Sequence, residues 1–138
     1  IEQRALNKNV LNLFSYTCSF GVHARVGGAK MAVNVDISGK ILEKGRLNYS
    51  LNGLECLPGE FFKGNAFEYL AWAKKREKLF DIIVLDTNLT NLRAQHVYES
   101  LGFRKLRINY DSWTDQLGNK QSAVDYELTE DSFEDFRK

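Results

Sequence analysis

The sequence predicts an α/β fold built on a largely parallel sheet, and three observations carry that prediction. Short apolar runs alternate with amphipathic stretches through the first two thirds of the chain. Two of these runs, Met31–Asp36 and Ile82–Asp86, end in an acid. Near the end, two β-rich runs flank a short polar segment, which is a hairpin signal and adds an antiparallel element. The chain has 138 residues, 43% of them hydrophobic and 27% charged. That is one domain's worth of globular sequence, able to bury about 68% of its unfolded surface. Disorder, collagen and a disulfide scaffold are excluded as global readings.

Val10–Phe14 reads as the first buried strand and Ser19–Val26 as a short helix stopped by Gly27-Gly28. Met31–Asp36 is the second strand. Ser38 is placed to cap a helix running to Asn52, with Gly53 as its stop. Glu60–Lys63 is a short third strand, and Ala66–Lys78 a helix with Phe67, Leu70 and Ala71 on its apolar face. Ile82–Leu85 is the fourth strand, closed by Asp86. Strands separated by helices imply βαβ units. Asn91 then caps a helix with Ala94, Val97, Tyr98 and Leu101 at i, i+3, i+4 and i+7, and Gly102 ends it. Phe103–Trp113 and Ala123–Leu128 form the hairpin around Asp115, Gly118 and Asn119, and Glu130–Phe136 reads as a short terminal helix.

No apolar run approaches a membrane span and the start shows no signal-peptide pattern, so the expected location is cytoplasmic and no membrane partner is expected. The chain opens Ile-Glu-Gln-Arg without an initiator Met, as a fragment or a processed chain would. Net charge is +1: residues 1–86 hold 12 Lys and Arg against 9 Asp and Glu, and residues 87–138 hold 7 against 9. Two solvated surfaces explain this better than a nucleic-acid face, and the run Lys74-Lys75-Arg76 reads as a solvated helix end. Cys18, Cys56, His23 and His96 lack metal-ligand spacing, so no metal is expected.

In an open parallel sheet, ligands bind outside the carboxyl ends of the strands. Two features fall there. Ser15–Gly21 offers hydroxyls and amides at a helix start, and Asp36 follows at about the spacing at which dinucleotide folds place the acid for a ribose diol. The loop lacks G-x-G-x-x-G, so a nicotinamide dinucleotide fits poorly. Asp36 could equally serve only to cap the next helix.

Asn12-Leu13-Phe14-Ser15-Tyr16-Thr17, Phe20, Ala24, Gly27-Gly28-Ala29-Lys30, Val35-Asp36-Ile37-Ser38, Asn48, Leu51-Asn52-Gly53 and Phe80–Asp86 occur in order. In this the chain resembles class I S-adenosylmethionine-dependent methyltransferases of large-subunit rRNA. The resemblance covers Asn9–Asp86 and implies a Rossmann-like cofactor site. Ser15, Tyr16 and Thr17 would line the methionine side. Asp36, with Ile37 beside it, would hold the ribose, Asn65 (through its carbonyl oxygen) and Ala66 would meet the adenine, and Asp86 would lie near the methionine amino group. Three positions depart from the family: Cys18 where Gly is usual, Asn65 where Asp is common, and Asp86-Thr87-Asn88 where the family continues Asp-Pro-Pro around the target base.

Asn91-Leu92-Arg93-Ala94, Val97-Tyr98-Glu99, Leu101-Gly102-Phe103 and Tyr110 resemble instead the C-terminal part of GNAT N-acetyltransferases, over about residues 82–128. That resemblance implies Asn91 and Tyr98 near coenzyme A, although Tyr98 also sits on an apolar stripe as a core residue would, and the pyrophosphate loop is absent. The combined expectation is one domain over residues 1–138, a methyltransferase-like part (1–86) joined to an acetyltransferase-like part (87–138). Such a chimera, engineered by preference, would be a three-layer Rossmann-like α/β protein. Its mixed six-stranded sheet would have the order 3-2-1-4-6-5, the last strand antiparallel and Phe103–Trp113 at the edge. It would have no catalytic residues, no turnover and at most weak or vestigial S-adenosylmethionine binding. The alternatives are an S-adenosylmethionine-dependent RNA methyltransferase and, behind it, an acetyltransferase. No partner is required on this reading and RNA is disfavoured; a homodimer through the edge strand or a swapped hairpin stays open.

Overall fold

The computed structural model describes residues 2–16 and 18–130. Thr17 and the expected terminal helix over Glu130–Phe136, from residue 131 on, lie outside the described residues. Six strands follow the order β3-β2-β1-β4-β6-β5, as the sequence predicts, and the chain divides into two compact units, Ile1–Ile83 and Val84–Lys138. Among the described residues no helix is long and apolar enough to cross a membrane.

The first unit is built by β1 (Asn9–Leu13), α1 (Ser19–Val26), β2 (Met31–Asp36), α2 (Gly39–Leu51), β3 (Phe61–Lys63) and α3 (Ala66–Lys75). β1 and β2 run parallel, Val10 opposite Ala32 and Leu13 opposite Val35, and β2 and β3 run parallel with Asp36 opposite Lys63. The side chains of β1 and β2 are buried almost without break, as strands covered on both faces require. β3 shows the two faces by alternation. Phe61 meets Tyr49 of α2 at 4.9 Å between ring centroids, while Phe62 meets Tyr69 and Trp72 of α3 at 5.0 and 6.3 Å.

Glu60 is wholly buried directly before β3. Its carboxylate accepts from Ala32 N (2.9 Å) and Leu57 N (2.8 Å) and pairs with Arg25 at the end of α1. Beside it, Asn34 accepts from Asn12 Nδ2 (3.0 Å) and donates to the Tyr49 hydroxyl (2.9 Å). Gly21 is needed against this cluster, since a Cβ there would lie 2.3 Å from Asn34 Oδ1.

The four α-helices among the described residues stop in the same way. The residue two past each cap donates to the carbonyl three residues inside the helix: Ala29 to Ala24, Leu54 to Tyr49, Lys78 to Ala73 and Phe103 to Tyr98, at 2.9–3.1 Å. This closure needs a left-handed residue just past the cap. Gly28, Gly53 and Gly102 supply it in three helices, and Glu77, at φ 52, supplies it in α3. α3 therefore ends at Lys75 instead of Lys78. Its buried residues are Ala66, Tyr69 and Ala73, not the expected face of Phe67, Leu70 and Ala71.

The second unit begins within β4 (Ile82–Asn88), which runs three residues past Leu85, the predicted last residue of the strand. α4 (Leu92–Ser100) follows, capped by Asn91 Oδ1 accepting from Ala94 N at 3.0 Å. Its buried residue is Gln95, held by a bond from Nε2 to Leu89 O (2.7 Å), while Val97 and Leu101 stay exposed. β5 (Arg104–Thr114) and β6 (Lys120–Thr129) form the hairpin, antiparallel, with register irregularities between Lys105 and Arg107 and between Asn109 and Trp113.

Candidate functional site

β1 runs out at Leu13 into a loop in which Phe14, Tyr16 and Cys18 have φ of 52°, 49° and 67°. Each left-handed non-glycine residue costs about 1–2 kcal/mol, so the loop must be held from outside. Ser15 N donates to Val35 O (2.9 Å) and Ser15 O accepts from Cys18 N (2.8 Å). Tyr16 N donates to Asp36 Oδ2 at 3.0 Å. Cys18 is fully buried against Val22, Leu42 and Tyr49, and burial pushes its thiol up to about 11. It stays protonated at neutral pH, a packing residue and no nucleophile.

Asp36 is the hub. Its Oδ2 takes the Tyr16 amide, its Oδ1 takes the Ser38 amide at 2.9 Å, and its backbone carbonyl takes the Gly64 amide at 2.9 Å. Ser38 caps α2 itself, its Oγ accepting from Ile41 N at 3.3 Å. Asp36 thus ties three segments together, and each carboxylate oxygen keeps acceptor capacity for an incoming donor. Ile37, next to it, is 73% exposed.

At the end of β3, Asn65 caps α3: Oδ1 accepts from Phe67 N at 2.8 Å and Glu68 N at 3.2 Å. Its carbonyl is therefore committed to the helix instead of being open to a base. Ala66 is buried, whereas Phe67 is 65% exposed and stands edge-on to Phe14 at 6.4 Å. Helical periodicity assigns Phe67 to the core; its place at helix position N2, beside the capping residue, was the signal that it points elsewhere. Glu60, which braces β2 beneath the site, carries no sequence signal that separates it from a surface acid.

Ser15, Tyr16, Asp36, Ile37, Asn65 and Ala66 thus line one end of the first unit's strands, in the spatial order β1, β2, β3. An open groove lined by Leu70, Ala73, Lys78, Leu79 and Ile83 lies at the other end of α3, about 15 Å away along a ten-residue helix. It contains none of these residues.

In the second unit, Asp86 is open to solvent yet surrounded by protein. That desolvation, with the Asp125 carboxylate next, raises it to about 6. Asp125 is itself buried and accepts from Arg107 Nε and Asn109 Nδ2, both at 2.9 Å. Tyr98 is half-buried, its ring 5.9 Å from Phe103 and 5.8 Å from Tyr126, and burial raises its hydroxyl. Asn91 and Tyr98 have caps and core contacts as their observed roles. Among the described residues no group of three His, Cys, Asp or Glu could hold a metal.

The family model of S-adenosylmethionine-dependent methyltransferases matches residues 1–106. Ribosomal RNA large subunit methyltransferase I of Aeromonas salmonicida is 46% identical over 102 residues, 73% of this chain and 26% of that protein. The chain spans only about a tenth to a quarter of the length of the curated relatives it matches, 11% in one and 26% in another. A candidate SAM-dependent methyltransferase structure from Streptococcus mutans superposes with a TM-score of 0.68 at 19% identity, covering 92% of this chain and 46% of that one. A second candidate methyltransferase, crystallised with SAH, gives 0.66 at 19% identity, covering 91% and 46%. At such identities the structural likeness shows the fold alone.

These matches overturn the chimera. A 102-residue match within 138 residues necessarily crosses positions 82–86, and the family model runs on to residue 106. No junction divides the chain there. The acetyltransferase-like reading of residues 87–138, the engineered origin and the expectation of a chain without turnover fall with it. The acetyltransferase resemblance rested on features that any strand-helix-strand segment shares: an Asn cap, an aromatic on the inner stripe and a Gly stop.

Proposed function

The chain belongs to the S-adenosylmethionine-dependent methyltransferases, and we propose that it supplies the cofactor-binding part of an enzyme that methylates a base in RNA. The observation that carries the cofactor reading is Asp36. It is a carboxylate at the end of the second parallel strand, aimed by the Tyr16 and Ser38 amides and still able to accept. A ribose diol donates two hydrogen bonds, and one carboxylate can take both. The residues at the β1 loop and at Asp36 fit the amino-acid end and the ribose of the cofactor. Asp36 would hold the ribose, Ser15, Tyr16 and Thr17 the amino-acid end, and Asn65 and Ala66 the base. Bound S-adenosylmethionine supplies a methyl group on a positive sulfur. The protein's part is to bind and orient it: the strained loop is held by Val35 and Asp36 in advance, so little ordering is left for the moment of binding. RNA as acceptor is supported by relatives at 42–46% identity whose names are rRNA methyltransferases.

Calorimetry with S-adenosylmethionine tests the cofactor site. Losing a charge-assisted ribose contact costs about 1.5–3 kcal/mol, so Asp36→Ala should weaken binding roughly ten- to a hundredfold. Equal affinity in both proteins rejects the Asp36 assignment. Transfer of labelled methyl into large-subunit rRNA should exceed the blank and vanish in Asp36→Ala. Tight cofactor binding with no RNA labelling would move the acceptor to another class.

A further inference from the structure

We propose that Asn65 reads the base of the bound nucleoside with hydrogen-bond donors only, so that this chain discriminates poorly between a 6-amino and a 6-oxo purine. The inference rests on the ribose reading of Asp36. With the ribose at the end of β2 and the amino-acid end at the β1 loop, the strand order leaves the end of β3 for the base. Asn65 and Ala66 stand there, and Gly64 N bonds Asp36 O at 2.9 Å, so the two positions are adjacent.

The polarity follows from the cap. Two backbone N–H groups point at one end of the Asn65 amide, at 2.8 and 3.2 Å. Only the carbonyl oxygen can accept them, which fixes the amide orientation and uses both of its lone pairs. What Asn65 has left is Nδ2–H₂. The neighbouring Ala66 N–H is bonded by no group among the described residues, and it is a second donor. An aspartate at position 65 could cap α3 with one oxygen and offer the other as an acceptor. It would then take the 6-amino group of adenine while Ala66 N–H meets N1, two matches. With asparagine, adenine keeps the N1 bond but sets its amino group against Nδ2. A 6-oxo purine sets O6 on Nδ2 but its N1–H against the Ala66 amide. Each base makes one match and one mismatch.

The experiment compares S-adenosylhomocysteine with S-inosylhomocysteine by calorimetry on the native chain and Asn65→Asp. Asn and Asp cap helices about equally well, so the variant should fold, and its thermal midpoint checks this. The native chain should bind the two ligands within about threefold of each other. Asn65→Asp should favour the adenosyl ligand by about tenfold or more. Asn65→Ser, which keeps a cap and withdraws the amide, should weaken the inosyl ligand selectively. A native chain that already prefers the adenosyl ligand tenfold, or a ratio that Asn65→Asp leaves unmoved, overturns the role of Asn65 while the cofactor site stands. Failure of both ligands to bind either protein overturns the site itself, and this inference with it.

Discussion

Cys18 shows how one side chain decides the shape of the loop between β1 and α1. It sits where the family commonly has glycine, at φ 67, and its Sγ fills the space beside Gly45. A Cβ on Gly45 would lie 2.4 Å from that sulfur, a distance no pair of unbonded atoms tolerates. Gly45→Ala should therefore cost about 1–3 kcal/mol, overpacking outweighing the gain in helix propensity. Cys18→Gly relieves about 1–2 kcal/mol of left-handed strain but gives up the packing of a buried thiol, and should be near neutral. Together the two should beat the sum of the singles, because the new methyl enters the space the sulfur left. Urea unfolding of the four proteins measures the coupling, expected at about 1–3 kcal/mol. Strict additivity would show that Cys18 and Gly45 do not share that space. The identity of residue 18 was readable as a departure in the sequence, but its partner twenty-seven positions away was not. Glu60 is the same kind of case: nothing local marks an acid that will be buried against Arg25.

Helix starts were easier to read than helix ends. Ser38 and Asn91 were read as caps and do cap through their side-chain oxygens, whereas Asn65, expected to meet a base, caps α3 in the same way. Ends marked by Gly28, Gly53 and Gly102 were equally plain. α3 overran in the prediction because its stop, Glu77, is an ordinary helix former held at φ 52 by the bond from Lys78 N to Ala73 O. Glu77→Gly should thus stabilise the protein by about 1 kcal/mol, since glycine reaches the left-handed region without the Cβ clash. Glu77→Ala, which keeps the Cβ, should gain nothing of that size. Thermal midpoints of the pair settle it, and a glycine variant no more stable than the alanine one would mean that Glu77 is not strained. The predicted stop of β4 at Asp86 failed for a related reason. Asp86-Thr87-Asn88 is polar and carries no strand pattern, and the extension shows only in backbone pairing, as in the bond from Leu89 N, just past the strand, to Ser122 O at 2.8 Å. β5 was placed at the edge correctly, since Arg104, Lys105, Arg107 and Asp111 suit a strand that must resist further pairing.

For the molecule as a whole, strand order was readable because parallel crossovers and an antiparallel hairpin leave few topologies, and that order sets Ser15, Asp36 and Asn65 at the carboxyl ends of neighbouring strands. What the chain does was misread where two family patterns overlapped on one strand, a point at which local pattern carries no information about continuity. The two units also differ in how firmly their own interiors are built. In the first, β1 and β2 are buried along most of their length and braced by the Arg25–Glu60 pair and the Asn34–Tyr49 bond. In the second, β5 has no buried residue on either face, and α4 buries Gln95 alone. Local opening is easiest where few apolar contacts must be broken and where backbone bonds lie open to water. Amides of β5 and α4 should therefore exchange hydrogen at low denaturant with opening free energies well below those of β1 and β2. The exchange of β1 and β2 should track global unfolding. Native-state hydrogen exchange, followed peptide by peptide across a urea series, reads both. Protection of β5 equal to that of β1 at every urea concentration would show that the chain opens only as one cooperative body, and that the sparse burial of β5 and α4 does not set their stability.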